Sequence, residues 1–308
     1  MVKVLVTPRS FGKHSDEAKE LLEAKGIEVV INPYGRILTE EEMKKEIVDV
    51  DGIIVGVDPL NADILSHAKN LKAISKYGVG TDNIDLNYCK EHSIEVSITR
   101  NANSDSVADF AFTLMLSVAR RVVEVDRACR QLDWGKKTSM EMFRKTLGVV
   151  GTGAIGKGVI KRAKGFEMDI LAYDLYKDEA FAKEYGVKYV ELDELIQKSD
   201  FISLHLPATE ETHDMIGPRE FGMMKDTAVL VNTARGELVD EDALFDALKN
   251  KKIWGAGLDV FKKEPPENMG LLELDNIIIG AHSGASTFEA VNNMSRMAAE
   301  NILKNLLS

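Results

Sequence analysis

The sequence is short of cysteine, of long apolar runs and of positive charge, and each shortage excludes a class of protein. Only two cysteines, Cys89 and Cys129, occur among 308 residues, so neither a disulfide framework nor a thiolate metal site is expected. No run of 18 apolar residues is present, which argues against a membrane span. The formal net charge of −11 argues against a nucleic-acid-binding surface, but it leaves room for a pocket that is locally basic and binds a small anion.

The N-terminus enters a strand-like pattern at once, with the sequence MVKVLV. It lacks the basic start, the long apolar stretch and the small-residue cleavage site of a signal peptide. Together with the scarcity of cysteine, this predicts a cytoplasmic protein in a reducing environment, with neither a membrane nor a nucleic acid among its partners and with no metal site.

Strand-like and helix-like segments alternate in two separate parts of the chain. The first series fills the first hundred residues, and the second begins near Thr146 with an apolar strand pattern. Between them, apolar residues recur at helical spacing from Ser104 to about Leu132. Regular alternation of strand and helix predicts an α/β protein with parallel sheets covered by helices, and 308 residues are too many for one ordinary core.

The last part of the chain, after Ser283, predicts a helix with one apolar face that has no partner nearby in the sequence. We therefore expect this helix to return to the first domain. The predicted boundaries are residues 1–99 and 285–308 for the first domain, with a second domain inserted at 100–284.

A glycine-rich loop lies at the start of the second series, in the stretch TLGVVGTGAIG at 146–156. Gly151, Gly153 and Gly156 have the spacing G-x-G-x-x-G between a strand pattern and a helix pattern, which is typical of a Rossmann phosphate loop. Asp174 ends the next strand pattern, where an acid binds the adenosine ribose. Because this carboxylate would repel a 2′-phosphate, the pattern predicts NAD rather than NADP.

Three later stretches each follow a strand pattern and supply Arg235, Glu264 and His282. In doubly wound sheets, ligands bind where the strands end. Hydride transfer to a 2-oxo acid needs a cation for the carboxylate, a proton donor for the developing alkoxide and a group that orients the donor. The three side chains match these needs and are predicted to be catalytic.

Seven motifs in order carry a resemblance that covers essentially the whole chain. They are KYGVGTDNID (76–85), NANSDSVAD (101–109), TLGVVGTGAIG (146–156), HLPATEETHDMIG (205–217), VNTARGELVD (231–240), GLDVFKKEPP (257–266) and HSGAST (282–287). The chain resembles the D-isomer-specific 2-hydroxyacid dehydrogenase family, and within it the phosphoglycerate dehydrogenases. The resemblance implies a Rossmann NAD domain inserted into a flavodoxin-like substrate domain. It also implies a homodimer built on residues 104–145.

The resemblance implies a role for each matching residue. Arg235 would bind the substrate carboxylate and carbonyl oxygen as a planar, permanently charged fork. His282 would be the general acid in reduction and the base in oxidation, and Glu264 would hold its ring and favour its charged form. The residues implied at the cofactor, besides the glycines and Asp174, are Ala154, Ile155, Leu206, Thr233, Ala234, Asp259 and Gly284. The residues implied at the substrate, besides Arg235, are Lys76, Gly78 and Val79.

Several positions depart from the family pattern, and one departure bears on the substrate. Ala281, Ser283, Arg100 and Ala154 replace the usual residues without removing catalytic chemistry. Many phosphoglycerate dehydrogenases carry an Arg-Ser pair where this chain has VGVD at 55–58.

The 3-phosphoglycerate/3-phosphohydroxypyruvate pair of serine biosynthesis is the first prediction for the substrate, with Lys76, Arg9 and Arg100 as possible phosphate partners. Hydroxypyruvate or glyoxylate is the alternative. A non-catalytic protein that senses NAD, and another enzyme on the same scaffold, also stay open.

Overall fold

The computed structural model describes residues 1–307, in which twelve strands alternate with helices. The strands are β1 (Val2–Val6), β2 (Ile27–Ile31), β3 (Gly52–Val55), β4 (Ala73–Lys76), β5 (Glu95–Ile98), β6 (Thr146–Val150), β7 (Asp169–Tyr173), β8 (Val187–Tyr189), β9 (Phe201–Leu204), β10 (Val229–Asn232), β11 (Gly255–Leu258) and β12 (Ile277–Ile279). The α-helices are α1 (Glu17–Glu23), α2 (Glu40–Glu46), α3 (Ala62–Leu65), α4 (Leu86–Glu91), α5 (Ser104–Ala119), α6 (Val122–Arg130), α7 (Ala154–Ala163), α8 (Glu179–Tyr185), α9 (Leu192–Lys198), α10 (Pro218–Met223), α11 (Glu241–Lys249) and α12 (Phe288–Leu307).

The chain divides into two compact units. Unit 1 contains residues 1–103 and the described chain from Ala285 onward, and unit 2 is Ser104–Gly284. Each unit contains one sheet, and all strand pairs in both sheets are parallel. Within residues 1–307, no helix has the length and apolar character that crossing a membrane requires.

The sheet of unit 1 has the order β2-β1-β3-β4-β5, which is the flavodoxin-like order. Apolar side chains cover both of its faces, as expected for a buried parallel sheet. Helix α12 belongs to this unit, since Ala298, Ala299 and Ile302 pack with Val4 and Ile54 of the sheet. The fold class predicted from the sequence is confirmed.

The sheet of unit 2 has the order β12-β11-β10-β9-β6-β7-β8. Counted from β6, the first six strands follow the Rossmann order 3-2-1-4-5-6, and β12 adds a seventh at the edge. Two apolar clusters cover its faces. The strand order reverses between β6 and β9, and this reversal is where a doubly wound sheet opens a crevice for a ligand.

One helix predicted from the sequence is divided in two. The pattern from Ser104 to about Leu132 becomes α5 and α6, because Arg121 adopts a left-handed conformation with φ of 53°. Helix α5 buries residues along its length, whereas α6 buries none. A left-handed residue is a usual end of a helix, and the loss of buried contacts after Ala119 explains why the pattern stops here.

Candidate active site

The carboxyl ends of the strands in unit 2 bring together most of the residues predicted for the cofactor and for catalysis. The residues that follow these strands directly or within three positions are Gly151 after β6, Asp174 after β7, His205 after β9, Thr233 and Arg235 after β10, Asp259 after β11 and His282 after β12. Because the strands are parallel, all of these positions lie at one edge of the sheet, where doubly wound folds bind ligands.

The glycine-rich loop has the geometry of a phosphate cradle. Gly151 has a φ of 95°, and a Cβ added there would lie 2.7 Å from the carbonyl oxygen of His205. Gly153 faces open space, and α7 begins after it without any side-chain cap. The first N–H groups of α7, starting at Ala154 and Ile155, therefore remain available for an anion.

Asp174 is held in place at the end of β7 by its own chain. One carboxylate oxygen accepts hydrogen bonds from the Thr152 N–H at 2.6 Å and from Thr152 Oγ1 at 2.9 Å. The other accepts from the Tyr176 N–H at 2.8 Å. Thr152 escaped the sequence reasoning because it occupies a variable position inside the glycine motif. Its hydroxyl and its place between two glycines were the available signals.

Two buried polar atoms near the loop have no partner among the described residues. They are Thr233 Oγ1 and His205 Nδ1. Burial lowers the pKa of His205 to about 3, so this ring stays neutral. Leu206 and Ala234 lie beside these residues and are partly buried. Orphaned polar atoms of this kind are uncommon, and together with the open glycine loop they fit a bound dinucleotide.

The loop that carries Arg235 is shaped by Asn232, a second residue that the sequence reasoning missed. The Asn232 side chain accepts from the Ala234 N–H at 3.0 Å and donates to the Arg235 carbonyl at 2.8 Å. An asparagine at a strand end is a known signal for such a turn. Gly236, the residue after Arg235, must lack a side chain, because a Cβ there would overlap the backbone of Phe261 and Lys262. The Arg235 loop therefore packs directly on the loop that leads to Glu264.

Glu264 and His282 form a hydrogen-bonded pair. His282 Nδ1 lies 3.1 and 3.0 Å from the two carboxylate oxygens of Glu264. The hydrogen bond to Glu264 raises the pKa of His282 against the opposing effect of burial. Burial also acts to raise the pKa of Glu264, but the hydrogen bond and charge of His282 outweigh it and leave that pKa lowered. Both shifts favour an ion pair, and His282 Nε2, which makes no hydrogen bond within residues 1–307, is the ring atom that can exchange a proton.

Asp259 is buried, and its carboxylate is bound by backbone groups of the loop after β12. One oxygen accepts from the Ser283 N–H at 2.9 Å, and the other accepts from the Gly284 N–H at 2.8 Å. The family resemblance implies that both Asp259 and Gly284 lie at the cofactor. The structure adds a contact between the two that the sequence did not suggest.

In unit 1, Lys76 lies at the end of β4 and is only 6% exposed. Its ammonium donates to the Gly56 carbonyl and, at 2.8 Å, to Asn83 Oδ1. Asp58 is 2% exposed and accepts from Thr7 Oγ1 and from the Leu38 N–H. The Lys76 ammonium is therefore directed at protein acceptors, and the Asp58 carboxylate is bound by donors of its own unit.

The other basic and backbone groups predicted for the substrate differ in their surroundings. The Gly78 N–H donates to Thr99 Oγ1 at 2.8 Å, so this group is already engaged within unit 1. Val79 is 41% exposed, and no hydrogen bond of its N–H occurs among the described residues. Arg9 and Arg100 are exposed and form no ion pair within residues 1–307.

Comparison with known proteins gives consistent matches. Residues 112–284 match the family model described as D-isomer specific 2-hydroxyacid dehydrogenase, NAD binding domain. A glyoxylate reductase of Korarchaeum cryptofilum is 43% identical over 267 residues, which are 84% of this chain and 80% of that protein. A D-3-phosphoglycerate dehydrogenase of Methanocaldococcus jannaschii is 42% identical over 308 residues, and the match spans 99% of this chain but only 57% of that protein.

A solved structure is also similar over almost the whole chain. The crystal structure of D-lactate dehydrogenase from Aquifex aeolicus, complexed with NAD and lactic acid, superimposes with a TM-score of 0.86 at 34% identity. The match covers 99% of this chain and 95% of that chain.

Proposed function

The chain belongs to the D-isomer-specific 2-hydroxyacid dehydrogenase family and carries its NAD-binding domain, and we propose that it interconverts a small 2-oxo acid and the D-2-hydroxy acid. The observation that carries this proposal is the hydrogen-bonded pair of His282 and Glu264, at the same sheet edge as the open glycine loop. A histidine paired with a carboxylate at a cofactor site is typical of proton transfer, and this supports an enzyme over a protein that only senses NAD.

We assign each step to a side chain. Bound NADH supplies the hydride that is added to the carbonyl carbon. His282 donates a proton from Nε2 to the carbonyl oxygen, which becomes the hydroxyl, and the reverse reaction returns that proton to the ring. Glu264 keeps the ring oriented and protonated. Arg235 binds the substrate carboxylate through the two parallel N–H groups of its guanidinium.

For the substrate, we now propose glyoxylate or hydroxypyruvate ahead of a phosphorylated acid, which reverses the order favoured by the sequence. The reason is the environment of Lys76, whose ammonium donates to Gly56 and Asn83. A phosphate dianion needs charged donors, and turning Lys76 toward one would leave two protein acceptors without this partner. The missing Arg-Ser pair at 55–58 removes the other expected partner.

The second candidate is 3-phosphohydroxypyruvate. It is favoured by Arg9 and Arg100, which are exposed and make no ion pair within residues 1–307, so that their charges remain available to an anion. The chain spans little more than half of the phosphoglycerate dehydrogenase that it matches.

A kinetic panel separates these candidates. The four substrates are glyoxylate, hydroxypyruvate, pyruvate and 3-phosphohydroxypyruvate, each tested with NADH and with NADPH. We expect the highest kcat/KM for glyoxylate or hydroxypyruvate with NADH. A clear preference for the phosphorylated acid would establish the second candidate. NADH binding without turnover of any of the four would instead support a sensing protein.

We also propose a homodimer whose interface covers the region from α6 to β6. Helix α6 buries no residue, and Leu132 and Trp134 after it are 84% and 78% exposed. Large apolar side chains exposed together mark an interaction surface. Sedimentation equilibrium at micromolar concentration tests this proposal, and a monomer there would contradict it.

A further inference from the structure

The loop that carries His282 has an unusual backbone conformation. His282 has a φ of 52°, in the left-handed region that few residues other than glycine adopt. The same residue donates its N–H to the Asp259 carbonyl at 2.8 Å, and the next two N–H groups bind the Asp259 carboxylate. Asp259 thus contacts three successive N–H groups of the loop, and this set of bonds holds His282 in its strained conformation.

The same loop is held from the other side by Ser106. Its hydroxyl, in the first turn of α5, donates to the Gly284 carbonyl at 2.6 Å. Both Ser106 and Gly284 are buried. The N–H of Gly284 is therefore bound by Asp259 and its C=O by Ser106, two residues that lie far apart in the sequence.

Gly280, at the start of the loop, leaves room for this arrangement. A Cβ added to Gly280 would overlap the carboxylate of Asp259. The position must therefore lack a side chain if Asp259 is to reach the N–H groups of Ser283 and Gly284.

The His282 ring itself has little to hold it. Its side chain is 47% exposed, and among the described residues its only side-chain hydrogen bonds are those to Glu264. A ring without close packing takes its direction from the backbone that carries it. The conformation of residues 282–284 therefore decides whether Nδ1 meets the Glu264 carboxylate.

We propose that Asp259 and Ser106 are positioning residues for His282, which act through the backbone of Ser283 and Gly284. This proposal rests on the proposed function of His282 and extends it. Asp259 serves the histidine whether or not it also contacts the cofactor, and Ser106 gains a role that its place in α5 does not suggest. The effect of either residue on catalysis is expected to appear in kcat.

Position must be tested separately from charge. The charged groups near His282 are Glu264, Asp259 and Arg235, and each influences its pKa. Replacing Asp259 would change both the charge and the loop. Ser106→Ala and Gly280→Ala keep all three charged side chains. Ser106→Ala removes only one hydrogen bond, and Gly280→Ala displaces the Asp259 carboxylate without removing it.

The first experiment compares Ser106→Ala with Thr113→Ala. Thr113 lies in the same helix, is exposed and bonds only to the carbonyl of Asp109 in its own helix. The readout is the hydrogen-bonded imidazole N–H proton of His282, measured by NMR in the cofactor-free protein and assigned with His282→Ala. We expect Ser106→Ala to weaken this signal and to lower kcat about threefold to tenfold, the worth of one hydrogen bond, with less change in KM for NADH. Thr113→Ala leaves both unchanged.

The second experiment compares Gly280→Ala with Gly222→Ala, whose added Cβ would meet nothing within 4 Å. We expect only Gly280→Ala to lose the His282 signal. If Ser106→Ala and Gly280→Ala lower thermal stability but keep the signal, kcat and pH profile, the positioning role is refuted.

An Asp259→Asn variant tests the role of Asp259 directly. If it raises KM for NADH and changes nothing else, Asp259 acts on the cofactor and does not position His282. If the wild type turns over no 2-oxo acid, the proposed function fails, while the NMR comparison still tests whether Asp259 and Ser106 position His282.

Discussion

The polar residues at the carboxyl ends of the two sheets differ in how far their hydrogen bonds are satisfied within the protein. In unit 1, Lys76, Asn83, Asp58 and Thr7 bind one another or nearby backbone groups. In unit 2, buried polar atoms such as Thr233 Oγ1 lack a partner among the described residues. Most polar groups at this end of unit 1 are thus satisfied internally, with buried Ser75 Oγ as an exception, whereas Thr233 Oγ1 and His205 Nδ1 of unit 2 lie at the sheet edge that carries the open glycine loop.

The difference has an energetic reason. A buried polar group without a partner costs about 1–3 kcal/mol, so proteins retain few of them. In unit 2, such unpartnered groups lie at the edge that carries the open glycine loop, where a bound ligand can supply the missing hydrogen bonds. In unit 1 most of these groups are paired, Ser75 Oγ being an exception, and the network of Lys76 and Asn83 binds the backbone carbonyl of Gly56.

The largest effect is expected from removing the reactive group of unit 2. His282→Ala should lower kcat for reduction by roughly 10²–10⁴, the usual contribution of a general acid. His67→Ala, which changes an exposed histidine of unit 1, is the control. Steady-state kinetics with NADH and glyoxylate measure both variants. A loss below tenfold in His282→Ala would place the proton donor elsewhere.

The network of unit 1 is tested by Lys76→Met. This change leaves Asn83 Oδ1 without its buried donor and leaves the Gly56 carbonyl with Asn83 Nδ2 alone, and we expect the free energy of unfolding to fall by about 2–4 kcal/mol. Denaturant unfolding measures the loss, with the exposed Lys72→Met as control.

The same Lys76→Met variant also tests the substrate proposal. A network role predicts equal changes in KM for glyoxylate and 3-phosphohydroxypyruvate. A rise for the phosphorylated acid at least about tenfold greater, or about 1.4 kcal/mol, would mean that Lys76 binds phosphate.

Asp174→Ala tests the cofactor side of unit 2. The carboxylate accepts hydrogen bonds from Thr152 and Tyr176 and is expected to bind the ribose as well. Its removal should weaken NADH binding about tenfold, the worth of one charged hydrogen bond, and relax the discrimination against NADPH. Titration of the free protein with each dinucleotide gives both affinities. An unmodified protein that prefers NADPH would overturn this assignment.

The smallest change at optimal pH is expected for Glu264→Gln. Its carboxylate raises the pKa of His282, so the protonated acid persists to higher pH in the wild type. In the variant that pKa falls, and the alkaline decline of kcat/KM for reduction should move to lower pH. A pH–rate profile measured in both proteins decides the point. An unchanged profile would remove Glu264 from this role.

Local patterns in the sequence were sufficient to predict the fold. The capping box of Thr39 and Glu42 in α2 is an example, because it depends on residues only three positions apart and can be recognised in the sequence TEEE. The glycine loop was recognisable for the same reason. The end of α5 was not, because arginine is a good helix former and nothing in the dipeptide at 120–121 indicates a left-handed residue.

The residues that hold the site in place could not be predicted from the sequence, for a physical reason. Ser106 and Gly284 are 178 positions apart, and Thr152 and Asp174 are 22 apart. Such hydrogen bonds exist only after the strands have been placed side by side, and no periodicity records them. The side chains proposed to react were found by motif, whereas the residues that hold them became visible only in three dimensions.

The discontinuity of unit 1 affects how the protein is made. Helix α12 covers Val4 and Ile54, which belong to strands that are synthesised before unit 2. The ribosome must therefore produce all of unit 2 before α12 emerges, and at about 5–20 residues per second this takes tens of seconds. During that interval, an apolar face of the first sheet waits uncovered in the nascent chain. Unit 2, whose strands are continuous in sequence, can fold first, and the sheet that is synthesised first is completed last.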